Sequence, residues 1–228
     1  MKVCVGKGRE QEVAETAGNA GIIRNHQTPE LSSTIYNAQV NPVWNIPQSI
    51  AKNEIYDKVR SDPDYLINHE IDVYDKNGQQ LDADSINWNL IPKNKIPFNF
   101  KQAPGDDNSL GKIKFQFENG SSVYLHDTPA KKRFNLTVRA VSHGCVRLEK
   151  PLELAKALLG SGSQHDLIAT RMSSPDSQPL DLAVDPHVPV FLTYITCFYN
   201  EKGQLVIRPD VYQRDAVLYE RMKKKLSE

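Results

Sequence analysis

No long apolar run interrupts this sequence. Nowhere in its 228 residues do eighteen or more hydrophobic residues follow one another, so no membrane-spanning helix is written in it. Charge of one sign is missing as well: 28 Lys and Arg stand against 28 Asp and Glu, and no global field points to nucleic acid or an anionic surface. Cysteine is scarce. The three, at positions 4, 145 and 197, form no C-x-x-C pair, and the six histidines form no H-x-x-x-H pair, which argues against a disulfide scaffold and a short-spaced zinc site. No glycine-rich phosphate loop, internal repeat or low-complexity tract is present, and neither a metal nor a cofactor is expected. The opening Met-Lys-Val-Cys-Val-Gly-Lys-Gly-Arg lacks the hydrophobic core of an export signal. What remains, 39% hydrophobic residues and 14 prolines, suits a loop-rich globule with one sizeable core, or one domain carrying an inserted piece.

Chemistry is concentrated in residues 124–148. Here stand Tyr124, His126, then Ser142-His143-Gly144-Cys145 and Arg147. A thiol is a strong nucleophile as thiolate, so it needs a base or a positive field beside it. His143 and His126, the latter nineteen residues upstream of Cys145, are the candidates for that base. Gly144 lets the backbone turn sharply and bare an N–H, and Arg147 can grip a carboxylate with two hydrogen bonds. Taken singly, a cysteine is most often a small buried hydrophobe. The packed Ser-His-Gly-Cys-x-Arg cluster is what favours catalysis.

The pattern His126, fifteen residues, Ser142-His143-Gly144-Cys145-Val146-Arg147 resembles the signature of the L,D-transpeptidases with a YkuD-like catalytic domain. Asn41-Pro42-Val43-Trp44-Asn45-Ile46-Pro47, Pro104-Gly105 with Asn108-Ser109-Leu110-Gly111, and Val188-Pro189-Val190 look like segments of the large periplasmic members, so the resemblance covers about residues 3–215. It implies a mainly β fold with helices, a YkuD-like β-sandwich carrying a small α/β lid. It also implies a chain missing its export signal and some N-terminal sequence, acting in the periplasm or extracytoplasmic cell wall.

Read in order, Val3 and Val5 around Cys4 suggest a strand, residues 9–34 a long polar loop, and Asn41-Pro42 and Ile46-Pro47 an extended approach. Residues 48–100 read as an inserted capping unit. In it Ser49 caps a helix bearing Ile50, Ile55, Tyr56 and Val59, Asp62-Pro63 starts a second, and Ile71 and Val73 form a strand entering an Asn77-Gly78 turn. Ile113, Phe115 and Phe117 alternate with polar residues as a half-buried strand. Asn119-Gly120 then turns the chain into a partner strand ending at His126. Pro151 opens a helix that Gly160 closes, near enough to Cys145 to favour its thiolate. Strands are expected over Val190–Tyr199 and Leu205–Ile207, and a terminal helix from Asp215; Cys4 and Cys197 are expected as buried free thiols.

The resemblance assigns the roles. Cys145 is the nucleophile, and His126 holds it ionised and then serves as acid and base. Backbone N–H groups around His143, Gly144 and Cys145 form the oxyanion pocket, with Ser142 supporting it. Tyr124 and Arg147 are expected to contact substrate, although Arg147 suits loop anchoring equally well. The implied partners are peptidoglycan stem peptides and carbapenem inhibitors, and the implied product is a 3→3 cross-link. Hydrolysis of wall peptides by the same thiol is the alternative, since the motif does not distinguish water from an amine as acceptor. A metal-binding or wall-binding module is a third class, disfavoured by the spacing of the ligand types.

Overall fold

The strand Ile113–Phe117 sits inside the main sheet because its alternation works: Ile113, Phe115 and Phe117 are buried while Lys114 and Gln116 are half-exposed. The computed structural model describes residues 1–11, 23–174 and 178–226. Its seven-stranded sheet runs in the order Ala140–Ser142, Val3–Gly6, Val146–Leu148, Leu125–His126, Ile113–Phe117, Leu31–Val40, Leu180–Leu192. Helices Pro151–Leu159 and Ser163–Met172 contribute Ala155 and Ile168 to a core shared with Val40, Ile113, Phe115, Val146, Leu148 and Val184. Each such large side chain contributes roughly 1.5–3 kcal/mol on burial. The architecture is therefore mainly β with several helices, as the sequence leads one to expect.

Several elements differ from the sequence reading. Leu31–Val40 is a ten-residue strand paired on both sides, where a loop was expected through residue 34. Ser32, Ser33 and Thr34 hide its apolar alternation; Ser33 Oγ instead donates to the Glu118 carbonyl at 2.7 Å. Within the rest of the expected loop Arg9–Gln11 pairs antiparallel with Ile23–Asn25, and residues 12–22 between them lie outside the described residues. Asn119-Gly120 is no tight hairpin turn. Asn119 Oδ1 accepts from the N–H groups of Ser121 and Val123, and the positive φ falls on Ser122 (53°). The first helical segment begins after Pro47 with no side-chain cap, so Ser49 is not its cap. The next starts at Tyr65 rather than Pro63, Asp62 Oδ1 accepting from Asp64 N–H at 3.1 Å. Pro151 and Gly160 do bound their helix. The late strand spans Leu180–Leu192, and a separate hairpin joins Cys197–Tyr199 to Leu205–Ile207. Cys4 is buried, but Cys197 is exposed, as is the whole of its strand Cys197–Tyr199; both thiols are free.

Residues 44–102 build a second, four-stranded sheet in the order Trp44–Ile46, Asn99–Gln102, Ile71–Tyr74, Gln80–Leu81. Its own core gathers Ile46, Ala51, Ile55, Val59, Leu66, Ile71, Val73 and Phe100. The strands flanking 48–100 thus belong to this unit, since Trp44–Ile46 pairs with Asn99–Gln102. Helical chain covers one side over 48–61, with a π turn at Ala51–Ile55. Among the described residues no helix is long and apolar enough to cross a membrane.

Asn108 fastens the base of this unit. Fully buried, it donates to the carbonyls of Pro42 at 3.0 Å and Ala103 at 2.7 Å, and its Oδ1 accepts from Leu110 N–H at 2.8 Å. Asn108→Ala strands those buried groups, each costing about 1–3 kcal/mol. Urea unfolding of this variant is expected to show a loss of roughly 3 kcal/mol; a loss below about 1 kcal/mol would deny Asn108 this role.

Candidate active site

Leu125–His126 and Val146–Leu148 are neighbours in parallel, with Leu125 opposite Val146 and His126 opposite Arg147. Parallel neighbours cannot be joined by a tight turn and need a crossover of a dozen or more residues. Residues 127–145 are that crossover, holding the 3₁₀ turn Lys131–Asn135 and the edge strand Ala140–Ser142. Its length is the nineteen-residue spacing of His126 and Cys145. Because side chains alternate along a strand, Leu125, Val146 and Leu148 enter the core. Tyr124, His126, Cys145 and Arg147 fall together on the opposite face. The Tyr124 and His126 rings meet edge to face, centroids 5.6 Å apart.

His126 is 3% exposed. Its Nδ1 lies 2.5 Å from the Asp127 carbonyl. A carbonyl can only accept, so Nδ1 carries the proton and the neutral ring keeps its lone pair on Nε2. Burial, then the Arg147 guanidinium, pulls the His126 pKa down to about 4, against the pull of the Asp127 and Leu110 carbonyls. Asp127 is itself pinned. Its carboxylate accepts from Lys112 N–H at 2.9 Å and pairs with Lys131, and it fills the space beside Gly111, where a Cβ would come within 2.5 Å.

Burial pushes the Cys145 thiol up from its ordinary value; hydrogen bonds from the Tyr124 backbone N–H and hydroxyl, then Arg147, pull the other way. The expected help from a helix N-terminus is not there. Three extended residues, Val146–Leu148, carry the chain roughly 10 Å away before Pro151 opens its helix. Both shifts favour the uncharged thiol and imidazole over the thiolate–imidazolium pair expected from sequence, an arrangement suited to general base catalysis through Nε2.

The loop before Cys145 has other duties for its side chains. Ser142 Oγ donates to the Cys145 carbonyl at 2.6 Å and accepts from Gly144 N–H at 3.2 Å. Gly144 N–H is thus already engaged, and of the three oxyanion donors expected it is the one turned inward. Gly144 itself has φ +126°, a conformation that favours glycine. His143 turns away from the thiol. Its Nε2 is 2.8 Å from Glu54 Oε1, in the π turn of the inserted unit, and its ring meets His26 edge to face at 5.0 Å. This contact, ahead of desolvation, holds the Glu54 carboxyl below its ordinary range. Tyr124 is occupied by the thiol and the Trp44 side chain, and burial drives its phenol pKa upward. Arg147 is half-buried and its Nε has no hydrogen-bond partner among the described residues. Glu54 and Asp127 were not found by sequence reasoning. Asp127 had a signal in its position beside His126; Glu54 lies in a helical stretch read only for its apolar residues.

The YkuD family, L,D-transpeptidase catalytic domain, matches residues 1–179. The chain belongs to that family. It is also 37% identical over 190 residues to a Haemophilus influenzae protein named "Putative L,D-transpeptidase"; the match takes in 83% of this chain and 38% of that protein's length.

With thiol and imidazole both neutral at rest, Cys145 should alkylate slowly near neutrality. Its rate with iodoacetamide, followed by peptide mass, is expected to climb steadily toward and beyond pH 9, as a raised thiol pKa requires. A rate already level between pH 5 and pH 8 would mean a resting ion pair instead.

Proposed function

We propose that this YkuD-family chain is a peptidoglycan L,D-transpeptidase working through a cysteine thioester. Cys145 Sγ attacks the amide carbonyl between the L-centre of the third stem residue and the terminal D-alanine of a tetrapeptide. Its proton passes to His126 Nε2. The oxyanion leans on backbone N–H groups at the loop, Cys145 above all, a kind of contact worth about 2.7–4 kcal/mol. As the C–N bond breaks, His126 returns the proton to the departing amine. An amine of a second stem then attacks the thioester with His126 as base, the C–S bond breaks, and a 3→3 cross-link results. No nucleotide is needed, because the thioester keeps the free energy of the cleaved amide. A carbapenem would acylate the same sulfur. Such substrates place the enzyme outside the cytoplasmic membrane.

The observation that carries this reading is the common face of Tyr124, His126, Cys145 and Arg147, with His126 Nδ1 held by a carbonyl so that Nε2 is left to act as base. Arg147 would serve either to grip a stem carboxylate or to anchor the loop. The inserted unit acts as a lid: Trp44 reaches Tyr124 and Glu54 reaches His143, so it stands beside the thiol from above the sheet. A covered thioester meets less water and more positioned amine.

Incubation with a disaccharide-tetrapeptide tests the chemistry. Cys145→Ala should abolish turnover and carbapenem adducts, while Cys4→Ala and Cys197→Ala leave both intact. His126→Ala should slow acylation by roughly 10²–10⁴. An adduct surviving in Cys145→Ala, or parental acylation by His126→Ala, overturns the assignment.

Glu54→Gln tests the lid. It should still acylate but yield more hydrolysed tripeptide relative to cross-linked dimer. An unchanged ratio in the folded variant removes the lid role, and hydrolysis as the sole outcome for the parent favours a peptidase.

A further inference from the structure

The segment after residue 192 lies beyond the part of the chain that matches the family, yet it closes on the loop that carries the thiol. The Tyr194 and Tyr212 rings stack at 5.0 Å with the Arg214 guanidinium over both. Asp210 locks this knot, its Oδ1 accepting from the Tyr194 hydroxyl at 2.5 Å and from Arg214 N–H at 2.9 Å. Outward from the knot, Arg214 pairs with Glu30 and donates to Gln27 Oε1 at 3.3 Å. The Tyr212 hydroxyl donates to the Gly6 carbonyl at 2.8 Å and accepts from Thr28 N–H at 3.2 Å. Residues 26–30 are thereby strapped against the sheet edge.

The strap in turn holds the loop. Thr28 Oγ1 donates to the Gly144 carbonyl at 2.8 Å and accepts from Gly6 N–H at 2.9 Å. It lies so close that a Cβ on Gly6 would stand 1.7 Å from the His26 carbonyl oxygen. We propose that Tyr212 and Thr28 are positioning residues: the C-terminal knot fixes the Gly144 carbonyl through them, and so sets the orientation of the Cys145 thiol. Gly144 and Cys145 share a peptide bond, and that bond is planar. Fixing the carbonyl of Gly144 therefore fixes the direction of the Cys145 N–H as well, the donor to which the oxyanion was assigned above. The same anchor keeps sulfur within reach of the Tyr124 donors that favour its ionised form.

The inference rests on Cys145 being the reactive thiol, and its test can be read without any wall substrate. In the full chain, Tyr212→Phe removes the hydroxyl and keeps the ring stack, Thr28→Val removes Oγ1, and Thr28→Ser restores it. Melting temperature and the alkylation of Cys145 against pH are measured for each. Tyr212→Phe and Thr28→Val should each slow alkylation at pH 8 by roughly tenfold, the worth of one hydrogen bond, and move the pH midpoint upward. Thr28→Ser should return to the parental profile, and the double variant should lose little more than either single. On a tetrapeptide substrate the loss should appear in kcat, with KM within about twofold of the parent. Parental alkylation by a folded Tyr212→Phe, or fully multiplicative losses in the double variant, would overturn the proposal. Parental protein that alkylates normally but turns over no stem peptide would count against the transpeptidase reading, while the alkylation profiles still decide the role of Tyr212.

Discussion

Everything at this site depends on one short parallel pairing, Leu125–His126 beside Val146–Leu148. Two residues on one side and three on the other are too few to be stable alone. They hold because Leu125, Val146 and Leu148 are sunk into the main core, next to Phe115 and Ile113. The parallel sense is what puts His126 and Arg147 level with each other and leaves Cys145 one step back, opposite Tyr124. An antiparallel pair could be closed by a short turn, but it would not need the crossover that carries Ser142 and Gly144 past the strand Val3–Gly6. The motif spacing is a consequence of sheet topology.

The same burial decides the electrostatics. A thiol and an imidazole taken out of water both favour their neutral forms, so the thiol pKa rises and that of His126 falls. Arg147 opposes the first shift and reinforces the second, since its positive charge stabilises a thiolate and repels an imidazolium. Burial still outweighs it at the sulfur, where the thiol pKa stays above its ordinary value. The Asp127 carbonyl makes the neutral state of His126 productive, because it fixes the tautomer that keeps Nε2 bare.

Sequence pattern revealed the parts whose energetics are local. Ile113–Phe117 alternates, Pro151 and Gly160 bound a helix, and the Ser-His-Gly-Cys-x-Arg cluster is contiguous. What escaped it is decided by distant partners. Leu31–Val40 carries Ser, Thr and Asn along one face, and its strand state comes from neighbours on both sides. The helix Ser163–Met172 buries only Ile168 fully, so its sequence shows little stripe. In Leu180–Leu192, Asp185 and Pro186 interrupt the pattern where the ladder shifts register between Ala183 and Val188. Within the site, Cys145 and His126 were legible from spacing. Glu54, Thr28 and Tyr212 were not, because each reaches the loop from a segment that shares no period with it.

His143 is held on one side by Glu54 of the inserted unit and on the other by His26 of the strap, so two separate elements meet on one catalytic loop. Their stiffness differs. The strap is tied through several part-buried hydrogen bonds and a ring stack, whereas Glu54 is half-exposed and makes a single polar contact, worth about 0–1 kcal/mol at a surface. At the base of the inserted unit, Asn108 clamps chain on both the incoming side at Pro42 and the outgoing side at Ala103. Swinging the whole unit about those strands would break buried hydrogen bonds. Release of the Glu54 side chain from His143 breaks only the weak one. For the lid proposed here, opening by release of Glu54 is the cheaper path, and it leaves the thiol loop fixed on its other side while substrate enters.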